Sequence, residues 1–172
     1  SGKSINTERC AFIKEFNTIF NTDYSHLTGD KETIDIEYIS DLNHSDFKSI
    51  LEKQVGTDTA AQRTTKGVHK DDLVFTINKL ALKKFGSQGQ IKSVIIAAKL
   101  AQFSYFSGKT KSTPILLLDD IFEKIDLSRA EKLMEMIANK RFGQIIISDT
   151  ERTRMEQFLA KIEINQNFFE VI

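Results

Sequence analysis

Apolar residues recur at helical spacing near the start of the chain. Phe12, Ile13, Phe16, Ile19 and Phe20 predict an amphipathic helix over residues 5–21. Gly29-Asp30 marks a turn. Ile34, Ile36 and Tyr38 then alternate with Asp35 and Glu37, the pattern of a strand with one wet face. Ser45 is placed to cap a short helix carrying Phe47, Ile50 and Leu51 inward. Residues 56–65 are small and polar and read as a linker or loop. A second alternating strand has Leu73, Phe75 and Ile77 on one face and turns at Asn78-Lys79 into residues 80–85.

The second half has a different rhythm. Ile91, Val94, Ile95, Ala98 and Ala101 predict a long helix over roughly residues 88–106. Ile115-Leu116-Leu117-Leu118 is all apolar and too short for a helix, which predicts a strand buried on both faces. A helix over residues 128–139, carrying Leu133, Met136 and Ile137, leads to a second such strand over residues 144–147. Two buried strands joined by a helix form a βαβ unit, so a parallel sheet is expected. A short helix with Met155, Phe158 and Leu159, then terminal strands at 162–164 and 168–172, complete the expected order.

Composition narrows the class. The longest apolar run is five residues, Val94 to Ala98, too short to span a bilayer, and no secretory signal pattern opens the chain. With one cysteine, Cys10, neither an internal disulfide nor a cysteine-cluster metal site can form. A cytoplasmic location with no membrane partner is therefore expected. The net charge of zero hides a pattern: residues 1–61 carry six basic and eleven acidic side chains, whereas residues 62–92 carry seven and two. Local charge governs electrostatic binding more than the total does. Arg63, Lys66, Lys70, Lys79, Lys83, Lys84 and Lys92 are accordingly candidates for following a phosphate backbone, and they equally fit an ordinary solvated face. His69, beside Lys70-Asp71-Asp72, reads as part of a capped turn before a strand rather than a metal or acid–base site.

Asp119 and Asp120 end the first buried strand, where ligands of open α/β sheets bind. Four aliphatic residues followed by Asp resemble the Walker B element of nucleotide hydrolases, in which the first Asp holds Mg²⁺ through water and the next acid orients the attacking water. Taken alone, the pair equally fits two acids that solvate a turn. A two-metal nuclease cluster of Asp119, Asp120, Glu123 and Asp126 is a weaker alternative. Gly86-Ser87-Gln88-Gly89-Gln90 opens the long helix 29 residues before Asp119, counted from Gln90. That order resembles the signature motif of ATP-binding-cassette ATPases. Ser87, Gly89 and Gln90 match, while Gly86 and Gln88 depart. Asp126 matches the Asp of that class's D-loop. The switch region falls at Ser148-Asp149, where Asp149 stands in place of the usual histidine.

Three runs carry a closer likeness: 64–73 (TTKGVHKDDL), 84–90 (KFGSQGQ) and 117–120 (LLDD). Together they resemble successive landmarks of the RecF recombinational-repair family, with Val68 replacing that family's proline. The N-terminal helix, with Glu8, Arg9, Phe12 and Phe16, is similar to the end of the RecF arm. The likeness covers essentially residues 5–172, but only the C-terminal half of a RecF chain. No Walker A loop is found: Ser1-Gly2-Lys3-Ser4 lacks a preceding strand, and Ser107-Gly108-Lys109-Thr110 follows a helix.

The resemblance implies an α/β fold: a partial ABC-type P-loop NTPase head lacking its Walker A segment. Residues 1–110 would be the arm remnant and signature-motif lobe, and 111–172 the Walker B half of the sheet. It further implies ATP and Mg²⁺ in the intact protein, with neither bound by this chain alone. Asp119 would position Mg²⁺ and Asp120 would orient water. Ser87, Gln88, Gly89 and Gln90 would act in trans on the partner's nucleotide, and Asp126 would couple the two sites. The implied partners are gapped DNA at single-strand/double-strand junctions, a second copy in an ATP-dependent head-to-tail dimer, and recombination mediator proteins. The alternative is a non-catalytic binding module for DNA or a recombination partner.

Overall fold

Helix α1 spans Gly2–Thr28, well past the predicted end at Asn21, because Tyr24 and Leu27 continue the apolar spacing from Phe20 and all three are fully buried. The chain, seen here as a computed structural model, is described over residues 2–43, 46–139, 142–162 and 165–170. It divides into two compact units. The first takes the residues up to Asn21 and Glu32–Gly86; the second takes Thr22–Lys31 and the residues from Ser87 onward.

In the first unit, β1 (Ile34–Ile39) pairs antiparallel with β2 (Asp72–Ile77), with Ile36 opposite Phe75 and Tyr38 opposite Leu73. Asn78 and Lys79 both adopt positive φ, 49° and 68°, the geometry of a tight hairpin turn into β3 (Leu80–Ala81). Helix α2, Phe47–Ala61, is longer than expected. Residues 56–61, predicted as loop, continue the helix, which ends where Gln62 turns left-handed and returns its N–H to Asp58 and Thr59 carbonyls. Ser45 lies outside the described residues; the side chain that caps α2 is Asp46, accepting from Lys48 N–H at 3.1 Å and Ser49 N–H at 3.4 Å. A single turn, α3 (Leu82–Phe85), ends the unit.

In the second unit, α4 (Gln88–Lys109) leads to β4 (Ile115–Leu118), and α5 (Leu127–Ala138) connects β4 to β5 (Gln144–Ile147). The strands pair in parallel, Leu116 opposite Ile145 and Leu118 opposite Ile147, as the βαβ pattern predicts. One cluster of buried apolar residues joins Leu100 and Phe103 of α4, Leu116 and Leu118 of β4, and Leu133 and Ile137 of α5. Helix α6 (Arg152–Leu159) adds Phe158 and Leu159 to that cluster, Phe158 stacking on Phe122 at 4.7 Å.

Two expectations fail here. β4 is buried on one face only: Leu116 and Leu118 are covered, while Ile115 and Leu117 are 56% and 58% exposed. The core cluster draws its helical side chains onto a single face of the strand pair, and residues of a strand alternate between faces. Nor is there a terminal strand at the described residues 162 and 165–170; Glu163, Ile164, Val171 and Ile172 lie outside them. Among the described residues, no helix is long and apolar enough to cross a membrane.

Candidate functional site

The carboxyl ends of β4 and β5 bring the predicted acidic pair and the switch region together. The Ser148 N–H donates to the Leu118 carbonyl at 3.0 Å, and the Asp120 N–H donates to the Ser148 carbonyl at 3.1 Å, extending the parallel ladder one step beyond each strand. The Ser148 hydroxyl donates to Asp119 Oδ1. Asp119 is exposed. Asp120 sits at φ 48°, a left-handed conformation that Asp tolerates better than most side chains but that needs outside restraint.

Three residues on lies Glu123, which the sequence placed only in the weaker two-metal alternative. Glu123 shares a hydrogen bond with Asp120 and, with burial and Glu123's negative charge, pushes the Asp120 carboxyl above its ordinary value. Glu123 moves the opposite way, held down by that same hydrogen bond and by Lys124. Of the two, Asp120 is the carboxyl that takes up a proton first as pH falls.

The side chain of Asp149, at the predicted switch position, is fully buried. It accepts from Arg154 Nη2 at 2.6 Å and from the Glu151 N–H at 2.8 Å. The Asp149 hydrogen bond is the main reason the Arg154 guanidinium is raised above its usual value. A permanent cation, Arg154, thus stands behind the position where a switch histidine is usual.

The signature segment is built as a helix start. Ser87 caps α4 in a capping box: Ser87 Oγ accepts from the Gln90 N–H at 3.2 Å, and Gln90 Oε1 accepts from the Ser87 N–H at 2.9 Å. This use of Ser87 Oγ as an acceptor leaves its proton available to donate. Gln88 and Gly89 form the first turn, whose free N–H groups make that end electropositive. A Cβ on Gly89 would lie 3.3 Å from the Lys124 carbonyl, a close backbone approach that explains the glycine. Arg129 clamps the same turn, donating to Ser93 Oγ at 2.7 Å and to the Gly89 carbonyl at 3.3 Å. Lys92 Nζ donates to the Asp120 carbonyl at 2.6 Å. Asp126 caps α5 through the Arg129 N–H at 3.0 Å and pairs with Arg129 Nε at 3.2 Å. Signature turn, D-loop position and acidic strand end are thereby one bonded assembly within the second unit. A groove of about 320 Å³ runs beside it, lined by Gln88, Ile91, Lys92, Ile95, Glu123 and Lys124.

Of the basic candidates, all but Lys92 fall in the first unit. Lys66 is paired with Asp41 at 2.8 Å, whereas Arg63 and Lys70 are exposed. Lys83 and Lys84 project from α3, and Lys84 Nζ lies 5.2 Å from the Phe85 ring centre. His69 Nε2 lies 3.1 Å from the Thr64 carbonyl, in a turn. The neighbouring Asp71 is nearly buried. Its Oδ2 accepts from Arg9 at 2.7 Å and from the Tyr38 hydroxyl, while Arg9 also reaches the Val68 carbonyl at 2.7 Å. Among the described residues, no three His, Cys, Asp or Glu side chains gather as a metal-ligand set. The tempting Lys-Ser and Lys-Thr fragments are helical or end a helix: Gly2, Lys3 and Ser4 lie in α1, and Ser107–Lys109 form the last turn of α4.

A βαβ unit with an aliphatic-Asp-Asp strand end, beside a serine-capped helix, has the fold of part of an SMC-type head domain. Solved structures agree on the fold. The chain superposes on "Structure of the recombination mediator protein RecF-ATP in RecFOR pathway" with a TM-score of 0.71 at 21% identity, over 88% of this chain and 42% of that one. A structure described under ATP-driven dimerization and DNA-stimulated activation of SMC ATPases aligns at 0.53 and 11% identity, over 89% of this chain and 76% of that one. No family model matches the chain.

Curated relatives are closer in sequence. The DNA replication and repair protein RecF of Flavobacterium johnsoniae is 42% identical over 99% of this chain and 47% of its own length. That of Cytophaga hutchinsonii is 43% identical over 92% of this chain and 42% of its own. The chain belongs to the RecF family and matches the C-terminal portion of its relatives, spanning about half their length.

Proposed function

We propose that this chain supplies the signature and Walker B half of a RecF ATPase head, and that a full-length RecF chain hydrolyses ATP at a site shared between two heads in head-to-tail contact. The observation that carries this reading is the bonded assembly in the second unit, where Asp119 and Asp120 at the end of β4 lie next to Ser148 and the same loop is pinned to the signature turn by Lys92 and Arg129. The exposed aliphatic face of the sheet, Ile115, Leu117 and Ile146, supports it too: relatives about twice as long have further chain to cover such a face.

The donor set suits a magnesium ion that keeps most of its water. Exposed Asp119 offers one hard carboxylate oxygen, and such ions take one or two carboxylates beside substrate phosphates rather than an all-protein cage. When bound, the ion would neutralise charge on the nucleotide phosphates. Ser148 holds the Asp119 carboxylate in place. Asp120 orients the attacking water, with Glu123 adjusting its proton occupancy. The Ser87 hydroxyl and the free N–H groups of the α4 start close on the partner head's nucleotide, and Asp126 stands at the head–head contact. Neither head holds every group the transition state needs, so dimerisation assembles the site.

The decisive variant is Asp120→Asn in the full-length chain. It should retain ATP binding and lose turnover by roughly 100-fold or more, the scale expected for removing a general-base function. Unchanged hydrolysis would refute the assignment.

DNA at single-strand/double-strand junctions and recombination mediator proteins are the proposed partners. Exposed Lys83 and Lys84, with Phe85 59% exposed beside them, favour a nucleic-acid contact from the first unit. Binding of gapped DNA should weaken steeply with salt, and an absence of binding at low ionic strength would remove this part of the reading.

A further inference from the structure

The loop from Asp119 to Asp126 is unusual for its backbone as much as for its acids. Two residues other than glycine, Asp120 and Lys124, hold positive φ of 48° and 61° within five positions. Such conformations persist only where surrounding contacts impose them. For Asp120 those contacts are identifiable: its N–H is held by Ser148, just past the end of β5, and its carbonyl takes the Lys92 ammonium at 2.6 Å. For Lys124, the carbonyl lies against Gly89 so closely that a single added carbon would approach to 3.3 Å.

Lys92 and Gly89 both belong to the opening turns of α4, the helix that Ser87 caps. Lys92 stands one turn after Gln88, on the wall of the groove it shares with Glu123 and Lys124. Arg129 ties the first turn of α4 to the start of α5. A displacement of the signature turn must therefore pull on the Asp120 carbonyl through Lys92, or break that bond.

We propose that Lys92 is a positioning residue that couples the two ends of the site within one chain, transmitting the state of the signature turn to the backbone of Asp120. The proposal rests on the ATPase reading above. In a head-to-tail dimer the signature turn meets the partner's nucleotide while Asp120 attends its own. Lys92 thus makes turnover at one nucleotide depend on occupancy of the other. It needs no contact with nucleotide to do so.

The test uses the full-length RecF chain carrying these residues, with wild type, Asp120→Asn, Lys92→Met, Lys92→Gln and Lys92→Arg read side by side. Lys92→Met should leave KM for ATP within about threefold and lower kcat by roughly 10- to 100-fold, the scale of a misplaced group that is not itself reacting. The Hill coefficient for ATP should fall from near two in wild type to about one. Lys92→Arg, which keeps a cationic donor, should restore most of both. A folded Lys92→Met or Lys92→Gln with wild-type kcat and cooperativity overturns the proposal. Loss of folding in both assigns Lys92 a purely structural role and overturns it equally. Failure of the ATPase reading looks different: wild type would not hydrolyse ATP, or Asp120→Asn would turn over like wild type.

Discussion

The two units of this chain use acidic residues in opposite ways. In the first, Asp71 is nearly buried among groups that favour its charge. Burial alone would push its carboxyl up, but hydrogen bonds from Ser40, Tyr38 and Arg9 and the Arg9 charge outweigh that and hold it below the usual carboxylate range. In the second, Asp120 is pushed up by Glu123 and held in a left-handed backbone conformation. As sequence, the Lys70-Asp71-Asp72 and Leu118-Asp119-Asp120 segments look equally chemical. Their surroundings separate them: a carboxylate clasped by an arginine and a tyrosine hydroxyl fastens a fold, and one crowded by like charge at an open strand end is a candidate for chemistry.

The largest expected effect on stability lies in the second unit, whose core cluster is independent of these charges. Leu133 is fully buried in it, so Leu133→Ala should cost about 2–5 kcal/mol in urea denaturation. Asp71→Ala comes next, at about 1–3 kcal/mol, because it strands the Tyr38 hydroxyl and half-exposed Arg9. Its pH dependence has a definite sign. A depressed folded value makes the Asp71 contribution complete above the unfolded carboxylate pKa of about 3.9 and lost as pH falls through the lower folded value. The stability gap between wild type and Asp71→Asn should therefore close in acid. A gap that persists there would show that shape, not charge, makes the clasp. Ser87→Ala should cost about 1 kcal/mol through the lost cap.

Asp120→Asn marks the small end of the scale. Asn accepts the left-handed conformation and removes the like-charge contact with Glu123, so thermal melting should show no loss of stability. Clear destabilisation would erase the contrast with Asp71.

The features legible in the sequence were those with strong periodicity or an ordered set of motifs. The β4–α5–β5 unit follows from two short aliphatic runs around one amphipathic helix, and β5 spans the predicted residues. The Asn78-Lys79 turn is explicit in its residue types. The length of α2 was hidden because residues 56–61 bury nothing and so leave no apolar period. One-sided burial of β4 was hidden because an aliphatic run reads the same whether one face or both are covered. At the site, Asp119, Asp120, Ser148 and Asp149 were legible from their place after the strands. Lys92 was read only among the basic candidates and Glu123 only in the two-metal alternative, while Arg129 and Arg154 were not singled out, because the contacts that give these side chains their roles, such as Lys92 with Asp120, are set by the fold.

On the reading proposed above, this chain is one half of a composite nucleotide site. Titration of ATP into the chain, alone and then with the Walker A-bearing half of a RecF chain supplied in trans, tests this directly. No saturable binding by the chain alone, and recovery with the other half, is the predicted result. Saturable binding by the chain alone, or no recovery on adding the other half, would contradict it.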